Sequence, residues 1–282
     1  MKKLGIILDS FSCKSKEELK EYGYGFISLK IEIDGNLYED GITLPHRLLI
    51  EKINDDSKVI TSTPSLKNIE EIVAEFSQNY DEVLYLGISS KLSSTFNNVN
   101  IIGKNYKNFH SLDNNLVGNQ YIYFAKYAQK RFEETQDIEL IIEEIKQAFK
   151  ETYTLIIPPN LKRLIGGGRL KGVKKLFLQA LKFLPIIIYD NEANVKVYAL
   201  KRTFKGAIKT VLEEMLENSK AINEPVFQMV NGIDQLIEKD VKELANSMGI
   251  KFEEECLASA LIMAHIGSKG FAISLRPTLK EK

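Results

Sequence analysis

Two hydroxyl-rich segments have residue types and a spacing that suit the binding of an anion. They are Thr61–Ser65, with the sequence TSTPS, and Ser89–Thr95, with the sequence SSKLSST, and each follows a short apolar run. Hydroxyl groups are compact hydrogen-bond donors that can hold a carboxylate or a phosphate without a cationic partner. A helix that begins near Thr95 would add backbone N–H groups and the positive end of its dipole. Either segment alone is also explained by helix capping, but the two together favour a ligand site.

Two more polar positions admit both a ligand role and a structural role. Asp9 and Ser10 directly follow the first apolar run, which puts them either at the crevice beyond the strand ends of an open α/β sheet or in an ordinary turn. Gly166–Gly168 precedes Arg169. The glycines allow a close backbone approach and the guanidinium suits a phosphate or a carboxylate, but a surface loop with a solvated arginine fits the same residues.

His265 is one of only three histidines and follows the apolar stretch Ala258–Ala264. This position suits either a hydrogen bond to an anion or a satisfied histidine of the core. The histidines do not cluster with carboxylates or thiols, so the sequence predicts no zinc site. Cys13 and Cys256 lie far apart without metal-type spacing and are expected to be free thiols.

The sequence lacks the motifs of common phosphate-transfer and hydrolytic enzymes. It contains neither a Walker A loop nor a Gly-x-Ser-x-Gly nucleophile elbow, and no evident group of acidic residues would hold Mg²⁺. We therefore expect no catalytic residue and no cofactor. A stand-alone small-molecule phosphotransferase remains the weaker alternative.

Charge and hydropathy limit the partners further. The chain has 38 Lys and Arg residues against 38 Asp and Glu residues, so it has no general attraction to nucleic acid or to an anionic membrane. The apolar run Leu4–Leu8 is shorter than a secretory h-region of roughly 7–15 residues, and no run approaches the ~20 residues of a membrane span. We expect a cytoplasmic protein without a membrane span, and a transient membrane contact is left open.

The pattern of apolar residues indicates the elements that must position these groups. The first half alternates strand-like runs with helical patterns, which predicts a mostly parallel sheet with helices on its faces. The predicted strands are 4–8, 26–33, 58–61, 83–88 and 154–157, and the predicted helices are 67–79, 115–132 and 138–149.

The pattern of apolar residues changes at Pro158-Pro159, and prolines are typical of connectors. We therefore expect an N-terminal domain over residues 1–157 and a C-terminal α/β domain over residues 158–282. The second domain has predicted strands at 185–189, 195–200, 226–230 and 271–275, and predicted helices at 161–165, 173–183, 203–217 and 233–248.

The motifs, taken in order, resemble those of the DegV family across essentially the whole chain. Each motif is modest alone, but eight in the same order are highly specific. They are Asp9-Ser10, Asp34-Gly35-x-x-Tyr38-x-Asp40, Thr61-Ser62-x-Pro64-Ser65, Ser89-Ser90-x-Leu92-Ser93-x-Thr95, Gly167-Gly168-Arg169, Pro185-Ile186, Lys201-Arg202-Thr203 and His265-x-Gly267.

The resemblance implies a two-domain fold, with a three-layer α/β/α N-terminal domain, a mixed C-terminal sheet and a long-chain fatty acid between the domains. It implies that the carboxylate is bound by Thr61 and Ser93, with support from His265. Neighbouring hydroxyls extend that site at Ser94 and Thr95, although the family usually has glycine where Ser94 stands. Five further positions are expected at the pocket rim, namely Asp9, Ser10, Ser62, Gly167 and Gly168.

The resemblance also implies a partner. Some family members are the lipid-binding subunit of a bacterial fatty acid kinase, in which a separate ATP-binding subunit phosphorylates the presented carboxylate. Arg169 and Arg202 match arginines linked to that step, so we expect them to contact the partner or the phosphate. The alternative within the family is a lipid-liganded regulatory or transport protein that has no kinase partner.

Overall fold

A computed structural model describes residues 2–170 and 183–279 of the chain. The helix expected at 173–183 falls outside these residues except for its last position. The predicted α/β class, with a parallel sheet in the first half and a mixed sheet in the second, is confirmed.

Four parallel strands form the first sheet, because short apolar runs pair side by side with helices in between. The strands are β1 (Leu4–Asp9), β2 (Gly25–Ile27), β6 (Glu82–Leu86) and β7 (Phe109–Ser111), in the order β2-β1-β6-β7. Side chains of β1 alternate between the two faces. Ile7 packs in one apolar cluster, whereas Ile6 and Leu8 pack in another. Both faces are thus buried, as a three-layer arrangement requires.

Three antiparallel strands form a second, smaller sheet, which the pattern of apolar residues does not predict. They are β3 (Lys30–Ile33), β4 (Asn36–Glu39) and β5 (Val59–Ser62). Asp34 and Gly35 both have positive φ, as a tight hairpin between β3 and β4 requires.

The prediction of a single strand over 26–33 was wrong. The chain leaves the first sheet after Ile27 and enters the small sheet at Lys30. Ser28 Oγ donates to the Asp40 carbonyl at 2.8 Å, and Leu29 N–H donates to Ser10 Oγ at 3.2 Å. These bonds fix a bend that a continuous apolar run does not reveal.

Six strands form the third sheet, in the order β10-β9-β8-β13-β11-β12, with only the β11–β12 pair parallel. Their bounds are β8 Tyr153–Ile157, β9 Leu184–Tyr189, β10 Val195–Lys201, β11 Val226–Asn231, β12 Glu254–Leu257 and β13 Phe271–Arg276. Strand β8 precedes Pro158 and was therefore assigned to the first domain, but it pairs here with β9 and β13. The change of sheet falls before β8, and the division into two domains stays a prediction.

The helices pack on the larger sheets, on the small sheet or on one another. Their bounds are α1 Lys16–Glu21, α2 His46–Glu51, α3 Leu66–Asn79, α4 Thr95–Gly103, α5 Gln120–Thr135, α6 Ile138–Phe149, α7 Lys162–Gly166, α8 Phe204–Ser219, α9 Gln235–Ser247 and α10 Ala260–Ile266. Within the described ranges, no helix is long and apolar enough to cross a membrane.

The two faces of the six-stranded sheet serve different cores. Leu155 and Ile157 of β8 pack with α8 and α9 in a cluster of their own. Ile187 of β9 and Ala272 of β13 belong instead to the large cluster that includes β1, β6 and α5. One continuous apolar core therefore joins this sheet to the N-terminal elements, and the candidate site lies within that junction.

Candidate ligand site

A cavity of about 330 Å³ lies between the six-stranded sheet, the N-terminal elements and α10. We call it the acyl cavity, and most of its wall is apolar. Its lining residues are Phe11, Leu29, Thr61, Ser62, Thr63, Ile88, Leu92, Ser93, Ser94, Val117, Thr154, Ile156, Leu164, Arg169, Tyr189, Val195, Val230, Leu261, Ile262, His265, Ile266 and Ala272. An elongated apolar ligand suits such a wall, because each methylene buried there leaves water.

The apolar wall is built by alternation along strands and by one side of a short helix. Ile156, Val230 and Ala272 come from adjacent strands of the six-stranded sheet, and α10 contributes Leu261 and Ile262. Sequence reasoning did not single out these residues, because a cavity-facing apolar side chain has the same pattern as one packed in the core. Their common signal is only the periodicity that marks a buried face.

The polar groups of the acyl cavity include the hydroxyls of both sequence segments. Thr61 Oγ1, at the end of β5, lies 3.1 Å from His265 Nε2 on α10. Ser93 Oγ lies 2.9 Å from Thr95 Oγ1 and accepts a hydrogen bond from Thr95 N–H at 3.2 Å, at the start of α4. Thr61, Ser93 and His265 line the cavity, whereas Thr95 is fully buried beside it.

Arg169 connects the Ser89–Thr95 segment to the glycine turn Gly166–Gly168. Its Nε donates to the Leu92 carbonyl at 3.2 Å, and its Nη1 donates to the Gly167 carbonyl at 2.5 Å. The side chain is half-buried and lines the cavity. The guanidinium therefore holds the Ser89–Thr95 segment against the glycine turn that packs on His265.

Gly167 lies so close to the imidazole of His265 that a side chain would not fit at this position. A Cβ built at this position would lie 2.6 Å from His265 Nδ1, well inside van der Waals contact. Gly168, the next residue, is exposed and has φ +71°, which favours glycine. The glycine turn thus serves one close contact and one left-handed backbone position.

His265 is neutral near neutral pH. Burial, together with the positive charges of Arg169 and Arg163, lowers its pKa to about 4. A neutral imidazole has one N–H donor and one acceptor nitrogen. When the proton is on Nε2, that nitrogen donates to Thr61 Oγ1 and leaves the threonine O–H available to a ligand.

A second, more polar depression adjoins the acyl cavity, and we call it the polar cleft. It shares Thr61, Arg169, His265 and Ile266 with the cavity. Its further lining residues are Asp55, Asp56, Ser57, Val59, Ile60, Pro159, Asn160, Lys162, Arg163, Gly166, Gly167, Ala264 and Gly267. The polar end of the acyl cavity therefore borders a cleft in which Lys162, Arg163 and Arg169 offer positive charge.

Asp9 and Ser10 do not line the cavity. Asp9 is fully buried and accepts hydrogen bonds from Phe11 N–H at 2.9 Å, Tyr85 O–H at 2.9 Å and Ile88 N–H at 2.7 Å. Burial raises the pKa of this carboxyl to about 6, against the opposing effect of those donors. Ser10 Oγ accepts from Leu29 N–H. Both side chains tie the strand ends together, which is the structural role that the sequence left open.

The remaining predicted positions are placed as follows. Ser62 and Ser94 line the cavity from exposed positions, and Ser94 makes no capping hydrogen bond to α4. Arg202 is exposed, lies 5.8 Å from the centre of the Phe183 ring and does not line the cavity. Among residues 2–170 and 183–279, no group of three or more His, Cys, Asp or Glu side chains is arranged to hold a metal ion.

The fold and the site together define a class, an α/β protein with an apolar ligand cavity and a polar end. The chain belongs to the DegV family, since the model of that family, described as "Uncharacterised protein, DegV family", matches residues 3–278. A DegV domain-containing protein of Mycoplasmopsis pulmonis is 28% identical over 281 residues, which covers 97% of this chain and 94% of that protein.

Two solved structures show the same fold. A fatty acid binding DegV family protein from Streptococcus agalactiae superposes with a TM-score of 0.88 at 22% identity, covering 99% of this chain and 100% of the other. A stearic acid-binding protein from Eubacterium ventriosum gives a TM-score of 0.81 at 18% identity and covers 98% of both chains.

Proposed function

We propose that this protein binds one long-chain fatty acid, with its tail in the acyl cavity and its carboxylate at Thr61, Ser93 and His265. The observation that carries this proposal is the combination of a largely apolar wall with the hydroxyl of Thr61 and the neutral imidazole of His265 where the cavity meets the polar cleft. The two solved relatives described as fatty acid and stearic acid binders support the same ligand class.

The tail supplies most of the affinity. A sixteen-carbon acid has about fifteen carbons beyond its carboxyl, and at ~0.8 kcal/mol per buried CH₂ their burial contributes on the order of 10 kcal/mol before ordering costs. The head group therefore needs only a modest polar grip. Hydroxyls provide it, and they leave one side of the carboxylate accessible.

The carboxylate site works without a deep ion pair. Thr61 donates its O–H to one carboxylate oxygen while His265 Nε2 donates to Thr61 Oγ1, so the imidazole orients the hydroxyl. Ser93 offers its O–H from the other segment, with its oxygen already bonded to Thr95 N–H. Hydrogen bonds to a charged acceptor are worth roughly 1.5–3 kcal/mol each, which fixes the head without shielding it.

The neighbouring polar cleft suits a protein that presents the carboxylate to a separate ATP-binding kinase subunit. Phosphoryl transfer needs positive charge beside the reacting oxygens, and Lys162, Arg163 and Arg169 line the cleft next to the proposed head group. The chain would act as the substrate-presenting subunit and would contribute no catalytic residue. Exposed Arg202 would belong to the docking face.

Occupancy is the first test. Organic extraction of the purified protein followed by mass spectrometry should release a fatty acid of long chain length, and delipidated protein should bind palmitate in a titration. Ala272→Phe adds a ring inside the cavity and should abolish binding. Ala199→Phe is the matched control, because Ala199 packs with the cluster on the opposite face of the same sheet. Protein that is isolated without lipid and binds neither palmitate nor oleate in the titration would contradict the proposal.

Phosphorylation is the second test. With an ATP-binding partner subunit and palmitate, we expect Arg169→Ala and Arg202→Ala to lower the rate of acyl phosphate formation at least ~10-fold, about 1.4 kcal/mol of transition-state stabilisation. Palmitate affinity should stay within a few-fold of wild type, because the proposed donors to the carboxylate are the hydroxyls of Thr61 and Ser93 and not these arginines. Unchanged rates in both variants would instead favour a lipid-liganded protein that has no kinase partner.

A further inference from the structure

Two thiols from opposite ends of the chain line one cleft, separate from the acyl cavity. Cys13 follows the short 3-10 helix Ser10–Ser12, and Cys256 lies in β12. Both line a depression of about 480 Å³, together with Lys14, Glu18, His46 and Glu255. We call it the dithiol cleft. Both cysteines are free thiols, and Cys13 is buried whereas Cys256 is half-buried.

Local contacts hold each sulfur in place. Cys13 Sγ accepts a hydrogen bond from Ser259 N–H at 3.3 Å. On the other side, a Cβ built at Gly118 would lie 2.8 Å from Cys256 Sγ, so a side chain there would push this sulfur aside. Gly118 has φ +57°, which glycine tolerates. The backbone at Gly118 thus leaves room for the Cys256 sulfur in the dithiol cleft.

The two thiols differ in their readiness to lose a proton. Interaction with the Cys13 thiol is the largest influence that lowers the pKa of Cys256, with help from the Asn119 backbone and from Lys14. The same interaction and burial raise the pKa of Cys13. The thiolate is the reactive form of cysteine, so Cys256 is the nucleophile of the pair and Cys13 is its neighbour.

We propose that Cys13 and Cys256 form a peroxide-sensitive dithiol that closes to an intramolecular disulfide. The Cys256 thiolate attacks one oxygen of hydrogen peroxide, the O–O bond breaks, and the departing hydroxide takes a proton and leaves as water. The sulfur of Cys13 then attacks the resulting Cys256 sulfenic acid, the S–O bond breaks, and a second water leaves with the proton of Cys13. The two thiols lose two electrons in total, and the peroxide gains them.

The disulfide would act on the acyl cavity, and this part rests on the proposed function. Cys13 lies two residues after Phe11, which lines the cavity. Cys256 lies three residues before Ser259, the residue that caps α10 by accepting a hydrogen bond from Ile262 N–H. A covalent link would join two parts of the cavity wall that packing and the hydrogen bond from Ser259 N–H to Cys13 Sγ hold together now. Opening of α10 for ligand exchange would therefore become rarer in the oxidised protein.

The first arm of the experiment measures the bond itself, whether or not a fatty acid binds. Full-length protein treated with hydrogen peroxide should lose two hydrogens in intact-mass analysis, and a digest should contain a linked peptide with residues 13 and 256. Cys13→Ser should instead accumulate sulfinic acid at Cys256, while Cys256→Ser should leave Cys13 largely unmodified. A linked peptide between two copies of the chain, or none at all, would overturn the proposal.

The second arm measures exchange of a fluorescent fatty acid. Oxidised wild-type protein should release it roughly tenfold more slowly than reduced protein, and dithiothreitol should restore the original rate. The double variant Cys13→Ser/Cys256→Ser should exchange at one rate under both conditions. A linked peptide with an unchanged exchange rate would overturn the effect on the cavity, and absence of any binding would overturn the proposed function while the first arm still decides the disulfide.

Discussion

Asp9 and Thr61 both lie where strands end, yet their hydrogen-bonding groups are used differently. The Asp9 carboxylate receives three hydrogen bonds from its own chain and is fully buried. Thr61 and His265 bond to each other at the wall of a cavity. A polar group whose capacity is met inside the protein is structural, whereas one that keeps a donor facing a cavity has something left for a ligand.

The largest effect on stability should come from removing the Asp9 carboxylate, whose hydrogen-bonding capacity is met inside the protein. Asp9→Ala leaves Phe11 N–H, Tyr85 O–H and Ile88 N–H without their acceptor, and an unsatisfied buried donor costs ~1–3 kcal/mol. We expect the free energy of unfolding to fall by about 3 kcal/mol or more in urea titrations. Thr61→Val is the matched control and should lose less than about 1 kcal/mol. An Asp9→Ala protein of wild-type stability would erase the distinction.

Variants of Thr61 should show the reverse pattern, in which palmitate affinity is lost and the free energy of unfolding is kept. Thr61→Val nearly preserves shape but removes one donor, so palmitate binding should weaken by ~1.5–3 kcal/mol. Ser93→Ala should weaken binding similarly and should also lose up to about 1 kcal/mol of stability, because its oxygen accepts Thr95 N–H at the start of α4. Isothermal titration of delipidated protein measures the first quantity. Unaltered affinity in Thr61→Val would place the carboxylate elsewhere.

The pH dependence of stability should separate the two sites by sign. The pKa of Asp9 is raised from 3.8 to about 6, so the folded protein binds this proton more readily, and the unfolding free energy falls as pH rises through that window. The pKa of His265 is lowered from 6.5 to about 4, so the unfolded chain binds this proton more readily, and the unfolding free energy rises with pH. These opposing slopes partly cancel in the wild-type protein.

Each of two variants removes the contribution of one group to the pH dependence of the unfolding free energy. Between about pH 4 and pH 6, Asp9→Asn should become more stable as pH rises, while His265→Gln should become less stable, by on the order of 1–2 kcal/mol in each case. Thermal or urea unfolding at several pH values measures both profiles. Identical profiles in the two variants would mean that neither group titrates in this window.

The smallest effects are expected at two positions that face solvent. Ser94→Gly removes an exposed hydroxyl that makes no cap on α4, so palmitate affinity should change by less than about 0.5 kcal/mol. Arg202→Ala should leave palmitate affinity unchanged within the same limit, since its side chain lies outside the cavity. A loss of binding in Ser94→Gly comparable to that in Ser93→Ala would extend the carboxylate site to Ser94.

Local elements of the fold follow closely from the sequence. Helix α6 has the predicted bounds Ile138–Phe149, because Asp137 caps its first turn by accepting from Leu140 N–H at 3.1 Å and its apolar residues share one face. The split between β2 and β3 could not be predicted in this way. It depends on Asp40 and Ser10, which are distant in sequence and supply the bonds that bend the chain.

Prediction of the candidate site from the sequence is limited in the same way, by contacts between residues that are distant along the chain. The hydroxyl segments and His265 were recognisable as polar residues after apolar runs, but only the family resemblance paired Thr61 with His265, which are 204 positions apart. Burial then decided against a rim position for Asp9, since nothing in its residue type distinguishes a satisfied carboxylate from an exposed one. That Thr61, Ser93 and His265 bind a carboxylate stays a prediction.

Strand β13 lies inside the six-stranded sheet, between β8 and β11, although it is the last strand in chain order. During synthesis on the ribosome, residues 153–157 and 226–231 therefore emerge before the strand that joins them. Ala272 of β13 is part of the acyl cavity wall, and α10 comes just before it. The wall of the acyl cavity is therefore incomplete in a nascent chain until residue 272 has emerged, and its completion depends on the pairing of β13 with strands that are made much earlier.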